Sequence, residues 1–265
     1  MANAGEAFKA GDLAAAVAAA QAAVKAAPRD SGARWLLAEL MLFAGDAERA
    51  DRMLDAAVLD DPSPAVLEFR KLLRAEVVRQ QVWNEGRAPK FSGDDATDAQ
   101  SAALRASVLA RAGAHEEAVT EAQAAEDSRP KRSGEAELAD GSKIAFDDFR
   151  DADDLMAPMV EVLTTGGEHI LVPVERLASL AFDAPRRPRD LAWRRTNIEL
   201  KDGTEGVVYM PSIYPAAPGQ PDPIRLGRAT EWTEGAGPVR GLGQRLFLIG
   251  DDAVAISDIA SLRFD

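Results

Sequence analysis

The chain has no cysteine among its 265 residues. Disulfides, thiolate zinc sites, iron–sulfur clusters and cysteine nucleophiles are therefore excluded. Histidine is nearly as scarce, because His115 and His169 are the only two, and neither belongs to a helical metal-binding motif. The composition therefore predicts a protein without a metal site and without a cofactor.

Long apolar segments are missing as well. No apolar run approaches the roughly 18 residues that a membrane-spanning helix needs. The first residues also lack the basic and apolar regions of a signal peptide. We therefore expect a cytoplasmic protein that does not insert into a membrane.

Basic residues are fewer than acidic residues, and the formal net charge is −13. Such a chain repels the backbone of nucleic acids and anionic membrane surfaces, because both attract faces rich in lysine and arginine. The glycine-rich stretches near Gly235 and Gly241 lack the lysine of a phosphate-binding loop, and no serine lies in a nucleophile-elbow motif. The sequence thus favours a non-enzymatic protein that does not bind nucleic acid.

An internal repeat is the strongest positive signal. Gly11 and Gly45 are 34 residues apart, and Gly113 follows after another 68, which is twice that period. The same intervals separate three prolines and three alanines, namely Pro28, Pro62 and Pro130, and Ala16, Ala50 and Ala118. A period of 34 is the length of a tetratricopeptide repeat, a pair of helices. Each glycine suits a left-handed helix end, each alanine a close helix crossing, and each proline a helix stop.

The register between the second and third matches, residues 65–97, keeps the length of a repeat but not its sequence. A helix is predicted from Val66 to Val77, and an irregular excursion follows from Trp83 to Phe91. We expect a modified repeat there, and burial of an open end of this short stack against another domain or a second chain.

The second half has a different character, and the predicted domains are residues 1–130 and 131–265. Residues 131–142 resemble a connector, and helical spacing predicts helices over 149–163 and from Pro173 to Leu180. Two hairpins follow, at 198–210 and 246–256. The predicted fold is therefore an all-α tetratricopeptide-like superhelix followed by an α+β domain with antiparallel strands, as a small sheet or a barrel.

Two charged clusters are candidate sites. The acidic one comprises Asp147, Asp148, Asp151, Asp153 and Asp154. It lacks the glycine and distal glutamate of a calcium loop, so we expect a structural or partner-facing role; a hydrolase or metal-dependent enzyme built on it is the alternative. The basic cluster, Arg186 to Arg195, is expected to pair with these aspartates or to dock an acidic protein.

Aromatic residues make up only 6% of the chain. Tryptophan is enriched at binding hot spots, so each tryptophan is a candidate anchor for a partner. Trp83 and Phe91 in the irregular register are the first candidates, with core packing as the alternative. The full set of predicted partner-binding residues is Trp35, Trp83, Phe91, Arg189, Trp193 and Trp232.

The second half also resembles a known family, the ImpE family, whose members are called SciE-type virulence proteins or TagJ. The resemblance rests on the strings Phe149–Leu155, Arg187–Arg194, Gly203–Pro211 followed by Tyr214, Arg225–Trp232 and Val239–Arg245. It implies an accessory protein of bacterial type VI secretion that binds the small subunit of the contractile sheath. It also implies a link to the AAA+ ATPase, ClpV, that dismantles contracted sheaths.

The resemblance implies no catalytic residue. The recurrent positions are equally compatible with a structural core of salt bridges and aromatic rings, and they are Arg150, Asp151, Asp153, Asp154, Arg189, Trp193, Tyr214, Trp232 and Arg245. A protein-binding adaptor is therefore the leading hypothesis. A scaffold that forms homo-oligomers through its repeats is the other non-enzymatic alternative.

Overall fold

The computed structural model describes residues 3–60, 63–93 and 95–265. Its N-terminal half is helical: α1 (Ala4–Ala10), α2 (Leu13–Ala26), α3 (Ser31–Phe43), α4 (Ala47–Asp60), α5 (Pro64–Gln80), α6 (Asp98–Arg111) and α7 (His115–Ser128). A π-helical turn, Gln81–Glu85, extends α5. Among the described residues, no helix is long and apolar enough to cross a membrane.

The predicted repeat is confirmed in its local geometry. Gly11, Gly45 and Gly113 have positive φ angles of 87°, 74° and 80°, so each ends the first helix of a pair in the left-handed region. Asp12 then caps α2 by accepting a hydrogen bond from Ala15 N at 2.7 Å. The three recurrent alanines, Ala16, Ala50 and Ala118, are completely buried. Of the matching prolines, Pro62 lies outside the described residues.

Helices α1 to α5 form a continuous stack in which each helix packs against the next. The α6–α7 hairpin instead packs through Ala102, Ala103 and Ala106 against Trp83 and against Met156 of the C-terminal half. The expectation of a long helix followed by an irregular excursion at 65–97 is confirmed by α5, the π turn and a short strand. The stack is thus closed by other parts of the same chain.

The strands are β1 (Lys90–Phe91), β2 (Gly134–Leu138), β3 (Lys143–Phe146), β4 (Phe149–Asp151), β5 (Met159–Thr164), β6 (His169–Pro173), β7 (Leu177–Phe182), β8 (Trp193–Leu200), β9 (Glu205–Pro211), β10 (Thr230–Trp232), β11 (Gly241–Gly243), β12 (Leu246–Ile249), β13 (Asp252–Ala255) and β14 (Ile259–Phe264). Two short helices, α8 (Arg189–Ala192) and α9 (Asp222–Arg225), lie between them.

Among the described residues, nine strands form one sheet in the order β1-β6-β5-β9-β8-β7-β14-β2-β3. All its pairs are antiparallel except β1 with β6, which are parallel. A three-stranded sheet, β13-β12-β4, lies beside it, and β10 pairs with β11. The two predicted hairpins are confirmed as β8–β9 and β12–β13. In the part of the chain that the structure describes, the large sheet has two edges, β1 and β3, so it is open and the barrel alternative is excluded.

Three local predictions for this half are wrong. The predicted connector contains strand β2, and the predicted helix over 149–163 is strands β4 and β5 with a turn between them. Strand β5 is buried on both faces from Met159 to Leu163, so it lacks the alternation that marks a half-buried strand. The helix predicted from Pro173 to Leu180 is a 3₁₀ turn, Val174–Arg176, followed by β7. A register shift between Leu177 and Ser179 breaks the alternation of β7.

The C-terminal half contains two copies of one β unit. Residues 172–182 and 254–264 share the pattern of a strand end, a 3₁₀ turn and a strand, and both strands carry Ala-Ser-Leu-x-Phe. Residues 137–142 and 199–204 likewise match as Glu-Leu-x-Asp-Gly followed by a hydroxyl residue. Equivalent strands β7 and β14 pair antiparallel with Leu180 opposite Leu262, its own counterpart. The sheet therefore has an approximate twofold axis at this pair.

The C-terminal half covers one side of the helical stack. Arg228 donates to the carbonyls of Phe8 and Lys9 at the end of α1, α8 packs on α3, and β5 packs on α5. The backbone N–H of Leu13 also donates to Asp222 at 2.8 Å. The odd-numbered helices α1, α3 and α5 therefore face the rest of the chain.

Candidate partner-binding site

A buried ion network joins the last helix of the stack to the sheet. Glu161, on β5, accepts hydrogen bonds from Arg79 Nε at 3.0 Å and Trp83 Nε1 at 2.6 Å through Oε1. His169 Nε2 lies 3.0 Å from the same oxygen, and Arg245 binds the other one. All of these side chains are buried. One carboxylate thus connects α5 and its π turn with strands β5 and β6 and with the residue that precedes β12.

Glu76 extends the network along α5. It accepts from Arg79 Nη1 at 3.0 Å and from Trp193 Nε1 at 3.0 Å. Trp193 begins β8, so this second carboxylate also bridges the helical stack and the sheet. Tryptophan N–H groups that are buried need such partners, since an unpaired buried donor costs about 1–3 kcal/mol.

The network continues into the acidic cluster through Arg245. Its Nη1 lies 2.6 Å from Asp151 Oδ2, and the other oxygen of Asp151 accepts from the Tyr214 hydroxyl at 2.9 Å. Burial on its own would raise the pKa of Glu161, but the neighbouring Arg79 and Arg245 guanidiniums lower the pKa of that carboxyl well below its usual range. The carboxylate form of Glu161 therefore holds the two arginines in place.

The predicted pairing of the acidic and basic clusters is wrong. The aspartates pair with arginines from elsewhere: Asp148 with Arg129, Asp151 with Arg245, Asp153 with Arg240, and Asp154 with Arg150. Asp147 is exposed. Because the four paired carboxylates are directed to four different cations, they do not converge on one point. Among the described residues, no group of three acidic or histidine side chains is arranged to hold a metal ion.

A cavity of about 590 Å³ opens beside the network, where the stack meets the sheet. It lies between the α3–α4 turn, α5 and the loop 213–220. Its apolar wall includes Leu42, Phe43, Ile213 and Pro218, and its polar residues include Glu76, Arg79, Gln80, Asn84 and Gln220. The Nε2 donor of Gln220 is buried without a hydrogen-bond partner among the described residues. None of the aspartates of the acidic cluster lines this cavity.

Three predicted partner-binding residues, Trp35, Arg189 and Trp193, meet around the ring of Phe69. The Phe69 ring lies 6.2 Å from that of Trp193 and 5.2 Å from that of Trp35, between centroids. The Arg189 guanidinium lies over both Phe69 and Trp35, at 4.7 and 5.2 Å from the ring centroids. Such cation–π contacts stabilise a partly desolvated guanidinium. The structure thus brings together Trp35, Arg189 and Trp193, which the sequence alone could not group.

The remaining candidates lie apart. Trp83 is 2% exposed and its N–H is used by Glu161, so the expectation that it is an exposed anchor is wrong, and core packing is correct. Phe91 is half-buried against the α6–α7 core. Trp232, on β10, is 37% exposed and keeps its ring 6.2 Å from that of Tyr214.

Sequence reasoning missed the centre of the network. Glu161 and Arg79 were not among the candidates, although Glu161 is a lone acid inside the apolar run Met159–Leu163. A single carboxylate in a strand that is buried on both faces requires a buried cation, because an unpaired buried charge is very costly. That signal indicates that Glu161 has a buried cationic partner, but it does not identify the arginine.

The N-terminal half consists of helical hairpins of tetratricopeptide length, and buried ion pairs join it to a duplicated open sheet. A cavity lies at the junction. These features define a repeat protein with a β domain. A family model described as "ImpE protein" matches residues 143–263, and one described as "Tetratricopeptide repeat" matches residues 7–73. A curated protein of Pseudomonas aeruginosa PAO1, the "Type VI secretion system accessory component TagJ", is 30% identical over 263 residues, 98% of this chain and 90% of that protein.

The crystal structure of protein VPA1032 from Vibrio parahaemolyticus has the same fold, with a TM-score of 0.89 and 26% identity. The match covers 99% of this chain and 97% of that one. This chain belongs to the ImpE family, and the resemblance found in its sequence is confirmed.

Proposed function

We propose that this protein is a non-enzymatic, cytoplasmic accessory component of a bacterial type VI secretion system. In this role it binds a helix of the small sheath subunit and links it to the AAA+ ATPase that disassembles contracted sheaths. The name of its Pseudomonas relative supports the secretion system. The tetratricopeptide-type stack supports a protein partner, since stacked helical hairpins commonly bind peptides and helices.

The cavity at the junction is the observation that carries the helix-binding proposal. The C-terminal half covers α1, α3 and α5, so a partner helix cannot lie along the whole inner side of the stack. The cavity remains open beside α5, and its volume is in the range of protein binding pockets. Leu42, Phe43 and Ile213 offer an apolar wall to a leucine-sized side chain, while Gln220 offers an unused donor to a helix end or a polar side chain.

A second surface suits a second partner. Trp232 and Val239 are large apolar residues that are 37% and 45% exposed, and they lie on and next to the β10–β11 pair. Exposed tryptophan is the residue type most enriched at binding hot spots. We place the ATPase contact there.

The ion pairs support a non-enzymatic role. Four of the five aspartates that would serve a hydrolase are each held by a separate arginine, the fifth, Asp147, is exposed, and all five lie outside the cavity. General acid–base catalysis requires convergent groups within reach of one substrate atom. The acidic cluster therefore acts in folding, by fixing the positions of four arginines.

The experiment is capture of partners from the native cytoplasm with the tagged full-length protein, with identification by mass spectrometry. We expect sheath subunits and the ATPase. Ala217→Trp places an indole at the cavity mouth and should lose the sheath subunit, whereas Ala22→Trp, an exposed alanine on α2, should keep it. Trp232→Ala should lose the ATPase and keep the sheath subunit. Recovery of neither partner with the wild-type protein would reject the adaptor proposal.

A further inference from the structure

A basic surface lies on α8 and the segment before it. Arg186 and Arg187 are exposed, Leu191 is 42% exposed, and the half-buried ring of Trp35 lies beneath Arg187, 5.7 Å from its guanidinium carbon. We call Trp35, Arg187, Arg189 and Leu191 the α8 surface. It is a concentration of positive charge in a chain whose net charge is −13.

Arg189 is the unusual member of the α8 surface. It is 5% exposed, and among the described residues no group accepts a hydrogen bond from its Nε or Nη1. The nearest carboxylate, that of Asp190, lies 3.9 Å from Nε, beyond hydrogen-bonding distance. A buried guanidinium normally has both a hydrogen-bonded partner and a counter-charge, since desolvating an unpaired ion is costly. Arg189 therefore retains unused capacity to bind an anion.

The neighbouring acids do not supply that anion. Asp190 Oδ2 already accepts the backbone N–H groups of Arg186 and Arg187, at 2.9 and 3.2 Å. Glu39 uses Oε1 to accept from Trp35 Nε1 at 2.8 Å, and burial raises its pKa to about 7, so it is often uncharged at neutral pH. Glu68 Oε1 accepts a hydrogen bond from the Tyr209 hydroxyl at 2.5 Å. The charge of Arg189 is therefore incompletely balanced by its own chain.

We propose that the α8 surface binds a carboxylate side chain of an acidic segment in a partner protein. Arg187 makes the first, solvent-exposed contact, and Arg189 provides the buried charge that favours a carboxylate over a neutral amide. Leu191 and Trp35 provide apolar contacts to the neighbouring side chains of the segment. A free metabolite of the size of acetate is too small to use these contacts. This surface is distinct from the cavity, because none of its four residues lines the cavity, so it adds a third contact surface to the proposed adaptor.

The test measures binding of a dye-labelled pentaglutamate peptide to the full-length protein by fluorescence anisotropy at low salt. Arg187→Gln should weaken binding at least fivefold, and Arg186→Gln, the same charge change at the adjacent exposed position, less than twofold. Arg189→Gln should also weaken binding at least fivefold, while its thermal midpoint stays equal to or above that of the wild type because a buried charge without a hydrogen-bonded counter-ion has been removed.

Several results would overturn the proposal. Equal loss with Arg186→Gln and Arg187→Gln would mean that only net charge matters. Equal binding of pentaglutamine would show that no carboxylate is recognised, and equally tight binding of free glutarate would identify a small-molecule site. Tighter binding of a single-stranded oligothymidine would identify a phosphate site of nucleic acid. Loss of sheath capture by Ala217→Trp would leave this proposal unaffected, so the two proposals fail separately.

Discussion

Glu161 Oε1 lies 3.0 Å from Arg79 Nε, and this contact ties the last helix of the repeat stack to β5, an interior strand of the C-terminal sheet. The two residues are 82 positions apart in the chain, and both are buried. Because Arg245 binds the second oxygen of Glu161, the same carboxylate also orders β12 and the acidic cluster. Glu161 is therefore one of the buried groups that fix the relative position of the two halves, together with Glu76.

Glu161→Gln should be strongly destabilising. The change leaves Arg79 and Arg245 without their shared counter-charge, and breaking a buried pair in this way costs about 3–5 kcal/mol. The free energy of unfolding, from urea denaturation of the full-length protein, measures the effect. Glu168→Gln is the matched control because Glu168 pairs with Lys90 at the surface, where ion pairs contribute less than about 1 kcal/mol. Equal losses for both variants would contradict the central role of Glu161.

Tyr214→Phe should destabilise the protein by about 1–3 kcal/mol, the usual effect of leaving a buried polar group unpaired. Its hydroxyl donates to Asp151 and accepts from the backbone N–H of Leu246 at 3.2 Å. The phenylalanine ring fills the same space, so the change isolates the hydroxyl. Thermal unfolding measures it, and an unchanged midpoint would show that the hydroxyl is dispensable.

Glu39→Gln should make the protein more stable in alkaline solution. Burial raises the pKa of Glu39 from 4.5 to about 7, so the folded protein binds more protons than the unfolded chain between these values. The stability contributed by the protonated form is complete below pH 4.5 and is lost as the pH rises through 7. At pH 8.5 the variant should therefore exceed the wild type by about 1–3 kcal/mol.

Urea denaturation at pH 5 and pH 8.5 tests this dependence. Glu48→Gln serves as the control, since it makes the same change at an exposed position beside Arg52 on α4. A gain for Glu39→Gln that is the same at both pH values would contradict the assignment of the raised pKa to this residue.

Gly241→Ala should be poorly tolerated. A Cβ atom at this position would lie 2.1 Å from Cε2 of Tyr214, whose ring is fixed by Asp151. Overpacking of this kind costs about 1–3 kcal/mol or more. Gly206→Ala is the control, because a Cβ there meets no atom within 4 Å. Equal unfolding midpoints for the two variants would show that Tyr214 can move freely.

Much of the helical half could be predicted from sequence, because a tetratricopeptide repeat imposes local requirements at a fixed period. Gly11 and Gly45 need a left-handed backbone, and Ala16 and Ala50 need close helix crossings, so their spacing is visible directly. The hairpins β8–β9 and β12–β13 were predictable for a similar reason, since the Asp-Gly and Gly-Asp turns mark them.

The remainder depends on tertiary structure. Strand β5 is buried on both faces, and the bulge in β7 leaves Leu177 and Leu180 buried three residues apart, a spacing that imitates a helix. The duplication was also hidden. Its matching segments are 82 residues apart in one part and 62 in another, so no single period reveals them.

The sequence indicated the residue types of the candidate site, but not which of these residues lie next to one another. Trp35, Arg189 and Trp193 were all candidates, yet only the packing of α8 on α3 brings them to Phe69. Trp83 was the leading surface anchor and is buried, because Glu161 provides a hydrogen-bond acceptor that the sequence cannot position beside it.

The most direct test of the account is calorimetric titration of the purified small sheath subunit into the purified full-length protein. We predict saturable binding to the wild type and to Ala22→Trp, and at least tenfold weaker binding to Ala217→Trp, whose indole occupies the cavity mouth. Unfolding midpoints equal to that of the wild type would show that both variants remain folded. Absence of binding to the wild type, or undiminished binding to Ala217→Trp, would contradict the proposal that the cavity at the junction receives the sheath helix.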